Sequence, residues 1–314
     1  MIPSAPLPPN PPAQPSHHLA GFTLIEMIVA IVLLGIISVM VATFIRSPVL
    51  GYVDTVRRAE LTDTADYSLR RIAREARLAL PNSMRVTTAG GVNYIEFILT
   101  RGGGRYRDVL DGAGNPLNFF DATACATTAT NCQFDVMGVA SASNVPIAVG
   151  DYIVANNWGQ DVAHNSFAPM DAYAPCAAAP GCNIAQVSAM AGVTVTLAPV
   201  NGINVFASQT PPSPSGSNRF QVVPGRVRAI TYACPSARGV LTRQANYGFN
   251  FTQGTPPSGG TATVMANNAS CVVTYENNVA NQRTGILTIA LTLFDSSGEE
   301  SVTLLRQIPT DNSP

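Results

Sequence analysis

The chain has no lysine. All 18 of its basic residues are arginine, set against 19 acidic residues, for a formal net charge of −1. The all-arginine set carries no functional reading of its own. The charge balance leaves no basic face of the kind that phosphate-backbone binding requires, so nucleic acid is not an expected partner. Charge of either sign is sparse, at 12% of residues. Histidine is nearly missing: beyond His17 and His18 there is only His164, which lies among loop-forming residues and reads as a surface side chain. There is no Cys-x-x-Cys, no G-x-S-x-G, no H-E-x-x-H and no Walker loop. Gly102-Gly103-Gly104 is not a phosphate loop, because no Lys-Ser/Thr follows it. Neither Asp108–Asp111 nor Asp295–Glu300 has the spacing of an EF-hand calcium loop. With no nucleophile, base or metal cluster standing out, the chain reads as a non-enzyme without cofactor or metal.

Gly, Pro, Ala, Thr and Asn are plentiful, which suits a β-rich, loop-rich exported domain. Six cysteines fall at Cys125, Cys132, Cys176, Cys182, Cys234 and Cys271. An even number, all placed late in the chain, suggests disulfides in an oxidising compartment. Proximity favours Cys125–Cys132 and Cys176–Cys182, leaving Cys234–Cys271. The other pairings, and buried free thiols, stay open.

The long apolar run begins at Phe22. From there to Ile45 are 24 residues with one charge, Glu26. That length crosses a bilayer core as a helix. An ordinary secretory signal has an apolar core of only about 7–15 residues. A carboxylate so placed costs roughly 2.5–3.5 kcal/mol on insertion scales and needs a cationic partner. No Lys or Arg precedes it. Cleavage after Gly21 creates one, the α-amino group of Phe22, spaced i, i+4 from Glu26. Glu26 also lies in the first turn, where the helix dipole favours negative charge. The amine and carboxylate can neutralise each other within a subunit or between two, and the second case sets axial register in a helical assembly.

The stretch GFTLIEMIVAIVLLGIISVMVATFI resembles the class III signal of type IV prepilins and type II secretion pseudopilins. The resemblance implies cleavage between Gly21 and Phe22 by a prepilin peptidase, N-methylation of Phe22, and an assembly role for Glu26. Its implied partners are other major and minor pilins, an inner-membrane assembly platform and the lipid bilayer. The implied location is the inner membrane as a single-pass protein with a periplasmic head, and then the pilus or pseudopilus.

Residues 1–21 are Pro-rich, with seven Pro before Ser16, and read as a leader that is removed. Tyr52, Val56, Ala65, Leu69, Ile72, Ala76 and Leu80 continue an apolar stripe, so the expected helix covers 22–80, with its transmembrane part at 22–45. Pro48 is expected to kink it. Arg57, Arg58, Arg70, Arg71, Arg74 and Arg77, interleaved with Glu60, Asp63, Asp66 and Glu75, read as solvated faces. From Met84 the period changes to two. Strands are expected at Val92–Leu99 and Tyr106–Leu110 around a Gly102–Gly104 turn, and at Asp151–Ala155 and Val193–Ala198. A loop-rich insertion is expected over about 111–218. A second group follows at Arg219–Val223, Arg226–Cys234, Gly239–Thr242 and Tyr247–Phe251. A polar loop at 252–270 precedes Cys271–Tyr275, Ile286–Phe294 and Ser301–Ile308, with a hairpin turn at Asp295–Gly298. The fold class is α+β and pilin-like: a long N-terminal helix, transmembrane in its first half, packed on an antiparallel sheet in a head at 81–314.

The C-terminal segments RFQVVPGRVRAITYAC, CVVTYE and RTGILTIALTLFDSSGEESVTLLRQI, with the helix stretch GYVDTVRRAELTDTADYSLRRIAREARLALPNSMRV, look like the MshO minor-pilin family of mannose-sensitive-haemagglutinin pili. That resemblance implies a minor pilin at or near a pilus tip, supporting biogenesis and adhesion. The alternative is a minor pseudopilin similar to the J-type subunit of a type II secretion system.

Overall fold

One helix, α1 (Leu24–Ala76), precedes every strand. The computed structural model describes residues 21–108, 112, 114–121, 125, 132–137, 147–159, 170–174, 182–209, 212–276 and 284–313. The chain divides into two units, Met1–Val56 and Arg57–Pro314. In the first unit the helix is apolar on nearly every side as far as Ile45, and its described side chains are exposed. It contains Pro48 and remains helical through it. Thr43 returns its hydroxyl to the carbonyls of Val39 and Met40, at 3.0 and 2.9 Å, which satisfies a polar group without water.

In the second unit the helix becomes one-sided. Ala65, Leu69, Ile72, Ala73 and Ala76 are buried. Leu69 and Ile72 each contribute about 1.5–3 kcal/mol by leaving water. The helix ends at Ala76, four residues short of the expected Leu80. Residues 79 and 80 are instead drawn into extended pairing: Leu80 N–H donates to the Ile98 carbonyl at 2.7 Å, and Ala79 bridges Leu99. Pro81 biases the residue before it away from the helix.

The strands in chain order begin with β1 (Arg85–Ala89) and β2 (Val92–Ile98). Then come β3 (Gly102–Tyr106), β4 (Gln133–Met137), β5 (Tyr152–Val154), β6 (Ile184–Ala191), β7 (Thr194–Leu197) and β8 (Arg219–Val223). The series ends with β9 (Ala229–Pro235), β10 (Gly239–Tyr247), β11 (Thr261–Glu276), β12 (Thr284–Phe294) and β13 (Ser301–Asp311). Seven of them form one antiparallel sheet in the order β1-β2-β9-β10-β11-β12-β13. Alternation along β12 puts Leu287, Ile289, Leu291 and Leu293 into the core beneath the helix. The other six close into a barrel, β3-β4-β7-β6-β5-β8, around Phe134, Phe220, Ile153, Val195 and Val222.

Three strand expectations are corrected. Gly102–Gly104 is not a turn but the start of β3, laid along β8. A Cβ on Gly103 would stand 2.7 Å from the Phe220 carbonyl oxygen, and one on Gly104 would stand 2.7 Å from the Phe220 ring. The glycines are there to let two strands close, not to reverse the chain. The polar loop at 252–270 is in part strand, because β11 starts at Thr261. Thr261–Val264 are exposed and are held by ladder bonds to β10, while Ala266 and Ala269 reach the core. Finally, Gly239–Thr242 and Tyr247–Phe251 are not two strands; a single β10 runs from Gly239 to Tyr247.

Two carboxylates hold the layers together. Glu75 was expected on a solvated face. It is buried under the helix, where it accepts from Tyr232 Oη at 2.5 Å and Arg243 Nε at 2.8 Å, with Arg71 Nε at 3.6 Å. Burial, and then the Glu75 charge, push the Tyr232 phenol far above its ordinary range. Glu96 on β2 is fully buried on the other face of the sheet. It accepts from Arg85 Nε at 2.9 Å and Tyr247 Oη at 3.0 Å. The Arg85 guanidinium lies 3.8 Å from the centroid of the Tyr173 ring, and the Tyr173 hydroxyl donates to the Ser83 carbonyl at 3.0 Å. This seam carries segment 170–174 on the sheet.

Removing one partner of a buried ion pair leaves the other charged and unpaired. Arg243→Ala is therefore expected to lower the unfolding free energy by about 3 kcal/mol, measured by denaturant unfolding of the chain in detergent. A change of a few tenths would show that Glu75 is already solvated. For Glu96, desolvation outweighs the Arg85 charge and holds its folded-state pKa above the ordinary 4.5. The folded chain thus binds this proton more tightly than the unfolded chain. Its contribution to stability is full below pH 4.5 and declines as pH rises through the raised value. Glu96→Gln is expected to flatten that fall in a pH series of unfolding free energies; an unchanged slope would refute it.

Candidate functional site at the start of the helix

Gly21, Phe22 and Thr23 precede the first helical residue, Leu24. Thr23 stops the helix from extending backwards. Its Oγ1 accepts the Glu26 backbone N–H at 3.3 Å, and its carbonyl accepts the Met27 N–H at 3.2 Å. The first contact occupies one of the amide donors that a helix start leaves without an intrahelical partner, and the second is the first backbone bond of the helix itself. Thr23 and Glu26 also have the Thr-x-x-Glu spacing of a capping box. That spacing is present in the sequence, but the sequence reading rests on Gly21, Phe22 and Glu26 and does not use it.

Glu26 lies in the first helical turn, as expected, and is exposed. Phe22 does not share that turn, because in the uncut chain it lies before the cap. The i, i+4 facing of Phe22 and Glu26 is expected of the cut chain, whose first residue is Phe22. Cleavage after Gly21 would leave only Phe22 before the Thr23 cap, so the new amine would lie next to the capped turn that holds Glu26. Phe22, Leu24 and Ile25 are 78%, 79% and 66% exposed. A carboxylate in the first turn of an otherwise lipid-compatible surface is therefore presented outward, among exposed apolar side chains.

The remaining site expectations fall in the head. Cys125–Cys132 and Cys234–Cys271 are disulfides, with Cα separations of 5.6 and 5.8 Å. Cys182 is also disulfide-bonded; its expected partner Cys176 lies outside the described residues, as does His164. Cys234–Cys271 ties β9 to β11 past the end of β10, and its 37-residue separation is worth about 4 kcal/mol by loop entropy. Of the acidic stretches, Asp295 spends its carboxylate on its own hairpin. It accepts from the Gly298 N–H at 2.6 Å and the Ser297 hydroxyl at 2.5 Å, and the Ser297 hydroxyl is the main reason its carboxyl lies below the ordinary range. Glu300 pairs with Arg58 at 3.2 Å. Asp108 accepts from Asn218 at 3.3 Å, and Asp111 lies outside the described residues. Among the described residues, no group of three or more His, Cys, Asp or Glu could hold a metal ion.

Residues 18–42 match the model of the prokaryotic N-terminal methylation motif. The motif marks a structural rather than a catalytic class of protein. Its class III signal implies processing by prepilin peptidase and assembly with other pilins, and with the apolar helix it supports anchoring of the N-terminus in a membrane. In this chain it supports a type IV pilin or pseudopilin. No curated protein and no solved structure matches the chain.

Thr23→Ala removes the cap. It is expected to cost the first turn about 1 kcal/mol, raising amide exchange at Glu26 and Met27 about fivefold in micelles. Exchange unchanged at both amides would mean that the cap does not hold this turn.

Proposed function

We propose that the chain is a minor pilin. In this reading, prepilin peptidase cuts between Gly21 and Phe22, the Phe22 amine is methylated, and the subunit joins a type IV pilus of the mannose-sensitive-haemagglutinin type, at or near its tip. One observation carries the reading: a single carboxylate, Glu26, in the capped first turn of a helix whose surrounding residues are exposed and apolar. In a bilayer or a packed helical core, that carboxylate needs a cation. The amine released two residues before the helix supplies one, in the same subunit or the next. The leader 1–21, the helix and the head 81–314 then have separate tasks: targeting, anchoring with assembly, and display.

Display is the task of the head. The connections between its barrel strands expose Phe120 and Trp158, 63% and 49% accessible, the type of side chain that anchors contacts with other surfaces. On this basis the region 111–218 supports adhesion. The partners are the peptidase, major and minor pilins, the inner-membrane assembly platform and lipid, with the head periplasmic before assembly. A J-like pseudopilin of a type II secretion system is the alternative. The motif match stops at residue 42, so the N-terminal features support both systems equally.

Mass spectrometry of the cell-derived chain is expected to find an N-terminal, methylated Phe22. Glu26→Ala should leave cleavage intact and lower recovery in sheared pili about tenfold, the effect of losing ~1.4 kcal/mol at the subunit joint. An uncut leader would overturn the processing route. Normal recovery of the variant would overturn the role of Glu26, and recovery only with a secretion complex would select the pseudopilin.

A further inference from the structure

Arg105 on β3 and Arg219 on β8 stand directly opposite each other across an antiparallel pair of barrel strands. Residues opposed in this way hold their Cβ atoms about 4.5–5.5 Å apart on one face, where like charges repel. Both arginines are exposed, and among the described residues neither guanidinium has an ion-pair or hydrogen-bond partner. Arg101, which precedes β3, is different: it pairs with Asp151 at 3.0 Å. The next pair on the same face is Gly103 with Gln221. A Cβ on Gly103 would stand 2.5 Å from Gln221 Oε1, so the missing side chain makes room for this amide. The Gln221 amide likewise has no partner among the described residues.

This face opens into a small, mostly polar cleft between the barrel and the end of β13. Arg219 and Gln221 line it from β8, Asn156 from the residues after β5, and Asp311 from the last position of β13. Asn156 donates its side-chain amide to the Ser213 carbonyl at 3.2 Å, which leaves its Oδ1 as an acceptor. Asp311 accepts the Ser313 N–H at 2.9 Å. The cleft therefore offers hydrogen-bonding groups of both kinds beside two arginines that have no carboxylate of their own.

We propose that Arg105, Arg219 and the cleft beside them bind a uronate residue of an acidic polysaccharide. An anion placed between the two guanidiniums turns their repulsion into attraction, and the planar guanidinium fork matches a carboxylate bidentately. The cleft selects what carries that anion. Gln221 supplies a donor and an acceptor, Asn156 an acceptor, and Asp311 a carboxylate that accepts from hydroxyls. Asp311 would repel a polyphosphate backbone, and a chain of net charge −1 has no wider basic surface to hold one. A sugar acid carries one carboxylate and several hydroxyls, and so meets both halves of the arrangement. Trp158, two residues beyond Asn156, adds an exposed indole, a flat surface of the kind on which the C–H face of a sugar ring packs. The inference rests on the adhesion reading of the head and names the chemistry of the surface it binds.

The test titrates oligogalacturonate into the full-length chain in detergent. Saturable binding is expected. The methyl ester of the same oligomer keeps the hydroxyls without the charge and should bind about tenfold more weakly. Arg105→Gln and Arg219→Gln should each lower affinity for the acid about tenfold, with no fall in the unfolding midpoint, because each relieves the repulsion between the pair. Gln221→Ala removes no charge and should weaken acid and ester alike, about threefold. Equal binding of acid and ester overturns the proposal, as does acid binding that both arginine variants retain. Inorganic phosphate that displaces the oligomer at equal concentration assigns the pair to phosphate and overturns the uronate. Absence of binding overturns the site even where piliated cells adhere. Binding in the titration by a chain whose cells adhere to no surface, polygalacturonate included, overturns the adhesion reading instead.

Discussion

A helix that is apolar on every side has nowhere to stand in water, and that constraint governs the design of the chain. Its backbone groups are satisfied internally, so Leu24–Ala76 can pass through lipid or a packed helical core without further hydrogen-bond partners. Its side chains are the difficulty. Those of residues 22–45 require an apolar surround, and the one charge among them requires a cation. From Ala65 onward the same helix needs only one covered face, and the sheet provides it. Leu69 and Ile72 share one core with Leu287, Ile289 and Leu291.

That packing also explains why a carboxylate sits beneath the helix. Glu75 would be costly there alone, but Tyr232 and Arg243 reach it from neighbouring strands of the sheet. Its position fixes the rotation of the helix on the sheet as firmly as the apolar contacts do. Glu96 does comparable work on the opposite face, joining Arg85 and Tyr247 and, through the Arg85–Tyr173 contact, the segment that approaches from the barrel side. The barrel itself answers a different requirement. Six short strands, several only three to five residues long, would leave exposed edges as an open sheet; closing them on one another removes those edges and forms a second core.

Much of this could be read along the chain. The methylation signal is local, with a small residue, an aromatic one and a carboxylate at fixed spacing before an apolar run. The α+β class follows from a period of 3.6 giving way to a period of two. The cap at Thr23 is legible too, in its spacing to Glu26. Other features resisted. A glycine run resembles a turn unless one knows that Phe220 packs against it. TATVMANNAS resembles a loop because its strand character resides in backbone bonds to β10.

What the sequence alone determined, then, is whatever depends on residues within a few turns of one another: the processing signal, the anchoring helix, β12 and the hairpin that returns from it. Tertiary structure decided the rest. Glu75 and Arg243 are 168 positions apart, and nothing near Glu75 announces that it will be buried. The closing pair of the barrel, β3 with β8, joins segments more than a hundred residues apart. Desolvation and close approach are properties of what arrives from elsewhere in the chain, so no local pattern carries them.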